Sequence, residues 1–397
     1  MNSAFRTSAP RGESDLDAVA RMLSLAFAGP IEGTRQFIDN AQSENIRVLR
    51  SASAEAPLAC YVRVPMGQFY GERSVPMLGI AGVAVPPESR GHGTALHLMR
   101  EALREIASDG TPLSVLYAST QTLYRQVGYE QAGHRFTIRL PLDRIDIRDR
   151  SAAIRALTME DQPAIESCYR AFSSAFDGML DRGPYLWRRV RKNRDDAYNG
   201  FGVISDAGEL IGYLFMSQRR NMDTGRHDVV LSDMAYSTPR AGRRLLGLLS
   251  DFATVGDAAI FHGGPIHPIL TLMPQQRYSV EKRDYWMLRI VNLPEAIAAR
   301  GYSPSAHGQA HIHVVDDLLT DNSGTWTVSV ADGHGRATRG GSGPAVRVDI
   351  RALAAMYSGL YTARQARLAG LLDATESELA SMEAIFQTSC PWMIDMF

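Results

Sequence analysis

The chain has 397 residues, of which 45% are hydrophobic and 21% charged, and its formal net charge is −1. That length exceeds one ordinary core, so two or three soluble globular domains are expected. The near-neutral balance gives no general reason to bind nucleic acid or an anionic membrane surface. Cys60, Cys168 and Cys390 are few, odd in number and far apart, which argues against a disulfide scaffold and suits a reducing cytoplasm.

No apolar run reaches the ~18 residues of a membrane span. The opening MNSAFRTSAPRGESD has no apolar core for a signal peptide. Residues 1–150 then read as one α/β unit. Phe5–Ser8 suits a short strand. Asp15 can cap a helix to Phe27, with Leu16, Val19, Ala20, Leu23 and Phe27 at helical spacing. Ile46–Arg50 and Leu58–Val64 read as strands, as do Leu113–Ala118 and Phe136–Leu140, and a short helix runs through Tyr124.

The stretch from Leu78 to Leu103 carries the most chemistry. A β-rich run, Leu78–Val85, meets Pro86-Pro87, and a glycine turn then leads into an amphipathic helix over Thr94–Ala107. Within the turn, Arg90-Gly91-His92-Gly93-Thr94-Ala95 follows an R-x-x-G-x-[GA] pattern. Glycines at 91 and 93 let the backbone curl with its N–H groups inward. The helix adds unsatisfied amides and its positive dipole end. Such a turn is either a plain strand–helix connection or a cradle for an anion such as a pyrophosphate. It lacks the Gly-Lys-Ser/Thr of a Walker loop and the G-x-G-x-x-G of a dinucleotide fold. Residue by residue, it resembles the acyl-CoA signature of the GNAT acetyltransferases.

A second unit starts near Ser151 and repeats the theme, spanning 151–292. RALTMEDQPAIESCYRAF echoes the opening strand and helix, and Val229 to Phe252 echoes strand, turn and helix. Its turn, Pro239-Arg240-Ala241-Gly242-Arg243, lacks the glycine spacing, so this unit reads as a degenerate duplicate without cofactor binding. A third unit, 293–397, begins at Leu293-Pro294. His311–Leu318 and Trp326–Val330 read as strands around a turn at Thr320–Gly324, and Ala331–Gly343 as a glycine-rich loop or hairpin. Ile350–Tyr357, Ala363–Leu372 and Glu376–Phe386 read as helices.

The chain ends Cys390-Pro391-Trp392-Met393-Ile394-Asp395-Met396-Phe397. Tails are usually polar, whereas burying a large apolar side chain is worth ~1.5–3 kcal/mol. A docked end is expected, either as a packing plug or with its carboxylate facing a substrate. His311 and His313 share a strand face but lack a third metal ligand nearby. Arg188 to Arg194, followed by Asp195 and Asp196, reads as a solvated helix face.

Taken together, the three units resemble the Eis (enhanced intracellular survival) family of GNAT-type N-acetyltransferases over nearly the whole length. Asp284 to Val291, Asn322 to Trp326, Leu116 to Ser119 and Leu123 to Tyr129 carry the likeness outside the glycine turn. The resemblance implies an α/β (α+β) fold class: tandem GNAT folds followed by a sterol-carrier-protein-like α/β domain whose C-terminus reaches the active site. It implies acetyl-CoA as cosubstrate, with Val83, Ala84 and Val85 along pantetheine. Gly91, His92, Gly93, Thr94, Ala95 and Leu96 then surround the pyrophosphate beside Arg90, with Ser119 and Thr120 nearby. Tyr124 becomes the general acid, with Tyr117 and Tyr129 as the neighbours to be distinguished from it, and the α-carboxylate of Phe397 becomes the base. No metal is required.

The acceptor implied is a small-molecule or peptide amine: an aminoglycoside, as in antibiotic resistance, a lysine side chain or another primary amine. The assembly implied is a cytoplasmic homohexamer, with neither nucleic acid nor membrane as partner. The chain departs from the family in its penultimate Met396, where a carboxylate is expected, and in having only Glu32 early after the first helix; Asp395 is a candidate to compensate. Two other readings stand beside this one. The chain could be an acyltransferase with a longer acyl donor or a peptide N-terminus as acceptor, or a non-catalytic acyl-CoA-binding scaffold.

Overall fold

A computed structural model of the chain describes residues 5–51, 56–193, 196–341, 345–386 and 389–397. Arg194 and Asp195 of the basic run, and Ser342 and Gly343 of the glycine-rich stretch, lie outside them. The chain forms two compact units. The first comprises residues 1–133, 285–390 and 397, and the second residues 134–284 and 391–396. No helix among the described residues is long and apolar enough to cross a membrane.

In the first unit the elements run β1 (Phe5–Ser8), α1 (Glu13–Phe27), α2 (Ile31–Ala41), β2 (Ile46–Ser51), β3 (Ala59–Tyr70), β4 (Arg73–Ala84), α3 (Thr94–Ser108), β5 (Leu113–Tyr117) and α4 (Gln121–Arg125). The strands lie in the order β1-β2-β3-β4-β5, and Trp286–Ile290 pairs antiparallel on the far side of β5. All these neighbours are antiparallel except β4 and β5. The β3–β4 hairpin turns on Gly71 and Glu72, both with positive φ (54° and 66°). That geometry matches the right-handed twist of the flanking strands. It carries both strands well beyond their expected limits.

One local expectation is corrected and one element is added. Asp15 does not cap α1: the helix starts at Glu13 with Gly12 as its N-cap, and the Asp15 carboxylate instead accepts the Arg11 amide at 2.5 Å. The helix α2 is new. Only Ile38 and Ala41 are buried in it, so its apolar stripe is too thin to read from spacing.

The later part of this unit is a four-stranded sheet in the order His334–Arg339, Gly324–Ala331, Gly308–Val315, Val346–Asp349. The first of these strands answers the hairpin expected beyond Ala331. Ala310, Ile312, Val314, Trp326, Val328 and Val330 alternate onto a buried face. Helices Ile350–Ser358 and Glu376–Ile385 pack against strands of this sheet. Helix Ala363–Leu368 stops four residues earlier than expected, just before Gly370 at φ 70°. His311 and His313 are tied across the ladder to the hydroxyls of Thr327 (3.0 Å) and Thr325 (3.2 Å).

In the second unit the sheet order is Phe136–Pro141, Gly256–Gly263, His227–Tyr236, Leu210–Arg220, Asn199–Ile204, Ala153–Ala156. Helices Gln162–Ser173 and Pro239–Ser250 pack on its strands. The second helix has Pro at N1, and the Thr238 side chain accepts from the Ala241 amide at 3.1 Å. It is an ordinary side-chain cap where the first unit has a glycine turn.

Candidate active site

The site begins where two parallel strands part. β4 and β5 pair only over Met77–Gly79 against Leu113–Val115. β4 continues to Ala84 with no further β5 register. It then carries a bulge: Cys60 lies opposite Ala84 while Val62 lies opposite Ala81, so β4 has one residue more than β3. Gly82 sits there at φ 57°, with Leu23 and Phe37 pressed against it. Bulges re-aim the strand that holds them, and this one redirects Val83–Val85. Ala84 is buried, and Val83 and Val85 pack half-buried on the core under the sheet.

The chain then turns through the glycine motif. Arg90 Nε donates to the Val85 carbonyl at 3.0 Å, and Thr94 Oγ1 donates to the Ser89 carbonyl at 2.7 Å, so the loop is closed at both ends. Gly91 and Gly93 have φ 78° and 74°, the left-handed region, and Gly93 is the N-cap of α3. The His97 amide donates to the Gly93 carbonyl at 3.0 Å. The amides of Thr94, Ala95 and Leu96 precede it and are those a helix leaves without an internal partner.

A cleft of about 400 Å³ opens beside this turn. Val85, Arg90, Gly91, Gly93, Thr94, Ala95, Leu96 and Thr120, all candidates named from the sequence, line it. His92 is exposed nearby, and neither it nor Val83, Ala84 and Ser119 forms part of the wall. Ser89, Leu123 and Gln126 complete the lining and were missed. Leu123 and Gln126 stand three apart, a spacing that puts them on one helical face and could have flagged them.

The three candidate tyrosines differ. Tyr129 is fully buried and its hydroxyl shares a 2.7 Å hydrogen bond with Ser114. Burial pushes its phenol far up. Tyr117 is half-buried, with its ring edge-on to Phe397 at 5.8 Å. Tyr124 is 6% exposed and edge-on to Tyr129 at 6.1 Å, and burial pushes its phenol up to about 12. It is absent from the cleft wall, although its helix neighbours Leu123 and Gln126 form part of it.

The Phe397 ring lies against β4 where that strand leaves β5. A Cβ on Gly79 would stand 2.7 Å from Phe397 Cε2. Glycine at 79 is therefore what lets the last side chain approach the backbone. In the second unit Asp395 is not a free acid. Its carboxylate takes Arg182 Nε at 3.0 and 3.1 Å and the Tyr169 hydroxyl at 3.4 Å. Asp395, the candidate to compensate for Met396, is therefore held in place by Arg182, which it shares with Asp233, so the trio keeps one net negative charge.

Comparison with known proteins gives consistent matches. Residues 9–132 and 178–290 each match an acetyltransferase (GNAT) domain, and residues 293–394 match a sterol carrier protein domain. The structure is similar to that of a GCN5-related N-acetyltransferase from Anabaena variabilis, with TM-score 0.94 and 32% identity, covering 99% of this chain and 100% of that one. It is also similar to a GCN5-related N-acetyltransferase from Kribbella flavida, with TM-score 0.85 and 25% identity over 99% and 98% of the two chains. Among curated relatives, N-acetyltransferase Eis of Mycobacterium tuberculosis is 25% identical over 336 residues, which are 81% of this chain and 80% of that protein.

Proposed function

Since the chain belongs to the GCN5-related N-acetyltransferases, we propose that it moves an acetyl group from acetyl-CoA to a primary amine. The observation that carries this reading is the parting of β4 from β5 after Gly79 and Val115, followed directly by the Gly91–Gly93 turn at the start of α3. A parted strand offers backbone N–H and C=O groups to the amide-rich pantetheine arm at Val83, Ala84 and Val85. The turn and the amides of Thr94–Leu96 offer donors to a pyrophosphate, with Arg90 alongside and Ser119 and Thr120 close by. In this division residues 1–150 hold the donor, 151–292 are a duplicate, and 293–397 bring the chain end.

The amine nitrogen attacks the thioester carbonyl carbon. The oxyanion that forms is met by a backbone N–H of the Val83–Val85 segment. Collapse breaks the C–S bond, Tyr124 gives its proton to the departing thiolate, and the Phe397 α-carboxylate takes the proton lost by the amine. A phenol at about 12 is a weak donor to a thiol of ordinary pKa, since a gap of about 3.5 units is worth about 5 kcal/mol. The same shortage of water raises the thiol as well and narrows the gap. The penultimate Met396 is apolar where a carboxylate is expected, which favours a modestly charged amine over a polycationic aminoglycoside.

The test is release of free thiol from acetyl-CoA across aminoglycosides, polyamines, lysine peptides and small amines. Acetyl-CoA binding without release on any of them would instead favour a non-catalytic acyl-CoA-binding protein.

A further inference from the structure

The second unit repeats the parted-strand device of the first. Its parallel strands His227–Tyr236 and Gly256–Gly263 pair as far as Val230 and Ile260 and then separate. A bulge follows: Phe215 lies opposite Asp233 and Met216 opposite Leu231, so Ser232 is the extra residue. Here the gap is filled by polypeptide. Ile394 closes against Leu231–Met234 and Phe261–His262, leaving only about 10 Å³, close to the room one water needs. Trp392 is 1% exposed among Phe172, Phe176 and His267. A Cβ on Gly264 would stand 2.2 Å from its ring.

The backbone of this segment is held as a strand would be. His134 N–H donates to the Pro391 carbonyl at 3.0 Å, Met393 N–H to the His134 carbonyl at 3.1 Å, and Trp392 N–H to the Asp177 carbonyl at 3.0 Å. Arg135 Nε donates to the Ile394 carbonyl at 3.0 Å, and Arg189 Nη1 to the Met396 carbonyl at 2.6 Å.

Arg182 supplies the charge. Its Nη atoms hold Asp233 at 2.6 and 2.9 Å, while its Nε holds Asp395. Its guanidinium stacks on Tyr169 at 3.9 Å and faces Trp187 at 4.9 Å. The side chains of Arg182 and Asp233 are both 0% exposed. Asp233 lies in the parted half of its strand and also accepts from Tyr213 at 2.7 Å. Buried ions need well-placed partners. The two edges of one guanidinium fork serve two carboxylates, one from the parted strand and one from the tail.

We propose that the second GNAT-like unit is a receptor for the chain's own C-terminal segment, with Arg182 as its positioning residue. The unit grips residues 391–396 in the gap that, in the first unit, is read as taking the thioester arm. Asp395 stands two residues before the α-carboxylate, a reach of at most ~7 Å of chain, so fixing Asp395 limits where the chain end can go. A gap filled by apolar side chains needs no anion cradle, which accounts for the plain Thr238 cap at Pro239–Ser250. The receptor role stands on this geometry alone. The positioning role rests on the assignment of the Phe397 carboxylate as base.

The experiment uses full-length Asp395→Ala and Trp392→Ala variants, because Arg182→Ala would strand Asp233 in the interior and risk the fold. Carboxypeptidase release of Phe397 and Met396 reads the grip, and steady-state kinetics read the consequence. Expected are release at least tenfold faster than wild type, kcat at least tenfold lower, and KM for acetyl-CoA within twofold. Arg182→Lys, which keeps the charge but loses the fork, should fall between Asp395→Ala and wild type in both readouts. Unchanged release in both Asp395→Ala and Trp392→Ala overturns the receptor. Faster release with unchanged kcat supports the receptor but overturns the positioning role, while Gly79→Ala, which moves Phe397 itself, tests the base assignment separately.

Discussion

Gly79→Ala tests the chain end without touching it. The new methyl would stand 2.4 Å from Met66 Cε, 2.7 Å from Phe397 Cε2 and 3.0 Å from Phe397 Cδ2. Carbon atoms settle at about 3.5–4.0 Å, so the Phe397 ring must retreat by about 1 Å. A misplacement of that size in a reacting group costs about 10²-fold in rate, equivalent to about 2.7 kcal/mol in the barrier. The effect on stability is smaller. Overpacking costs about 1–3 kcal/mol, and the alanine returns about 0.4–1 kcal/mol through the unfolded chain. Met66→Ala should relieve the second clash and recover stability without restoring the rate. Thiol release and thermal melting, run on Gly79→Ala and on the double variant, separate the two effects. A Gly79→Ala enzyme with kcat within twofold of wild type would refute the placement of the carboxylate at the reacting carbon.

Tyr124→Phe should lower kcat by ~10²–10⁴-fold, the range of a lost general acid, with acetyl-CoA affinity within twofold. Because burial holds that phenol up to about 12, wild-type kcat should show no alkaline loss from Tyr124 between pH 8 and 10, and a pH–rate profile checks both statements. Gly93→Val forces a β-branched residue into the left-handed region at φ 74°, costing about 1–2 kcal/mol and crowding the amide cradle. Acetyl-CoA affinity by calorimetry should fall at least tenfold, and unchanged affinity would mean that the turn does not bind the donor. Acid should destabilise the second unit. Burial lowers His262 and His267 to about 3 from 6.5, so the stability each contributes is intact above pH 6.5. It is lost as pH falls towards 3, at up to about 1.4 kcal/mol per unit for each imidazole. Melting curves at pH 7, 5 and 4 should show a progressive drop, and identical curves would contradict the buried neutral imidazoles.

How far the letters went can be judged residue by residue. The Arg90–Ala95 turn was legible because strand, glycines and helix are consecutive, and their geometry follows from local sterics. The apolar tail was legible because leaving Trp392 and Ile394 in water is unfavourable whatever the fold. Helix α2 was not, because two buried residues make no period. Gly79 looked like any strand glycine until Phe397, 318 positions later, was found against it. Arg182 looked like one more arginine in an arginine-rich chain. Its role depends on Asp233 and Asp395, which are brought to its two edges from 51 and 213 residues away. Local backbone preference and hydrophobicity are properties of neighbours in sequence, so the sequence alone determined the glycine turn and the docking of the end. Close packing and the pairing of buried charge are properties of neighbours in space, and only the tertiary structure decided where that end lies and what holds it.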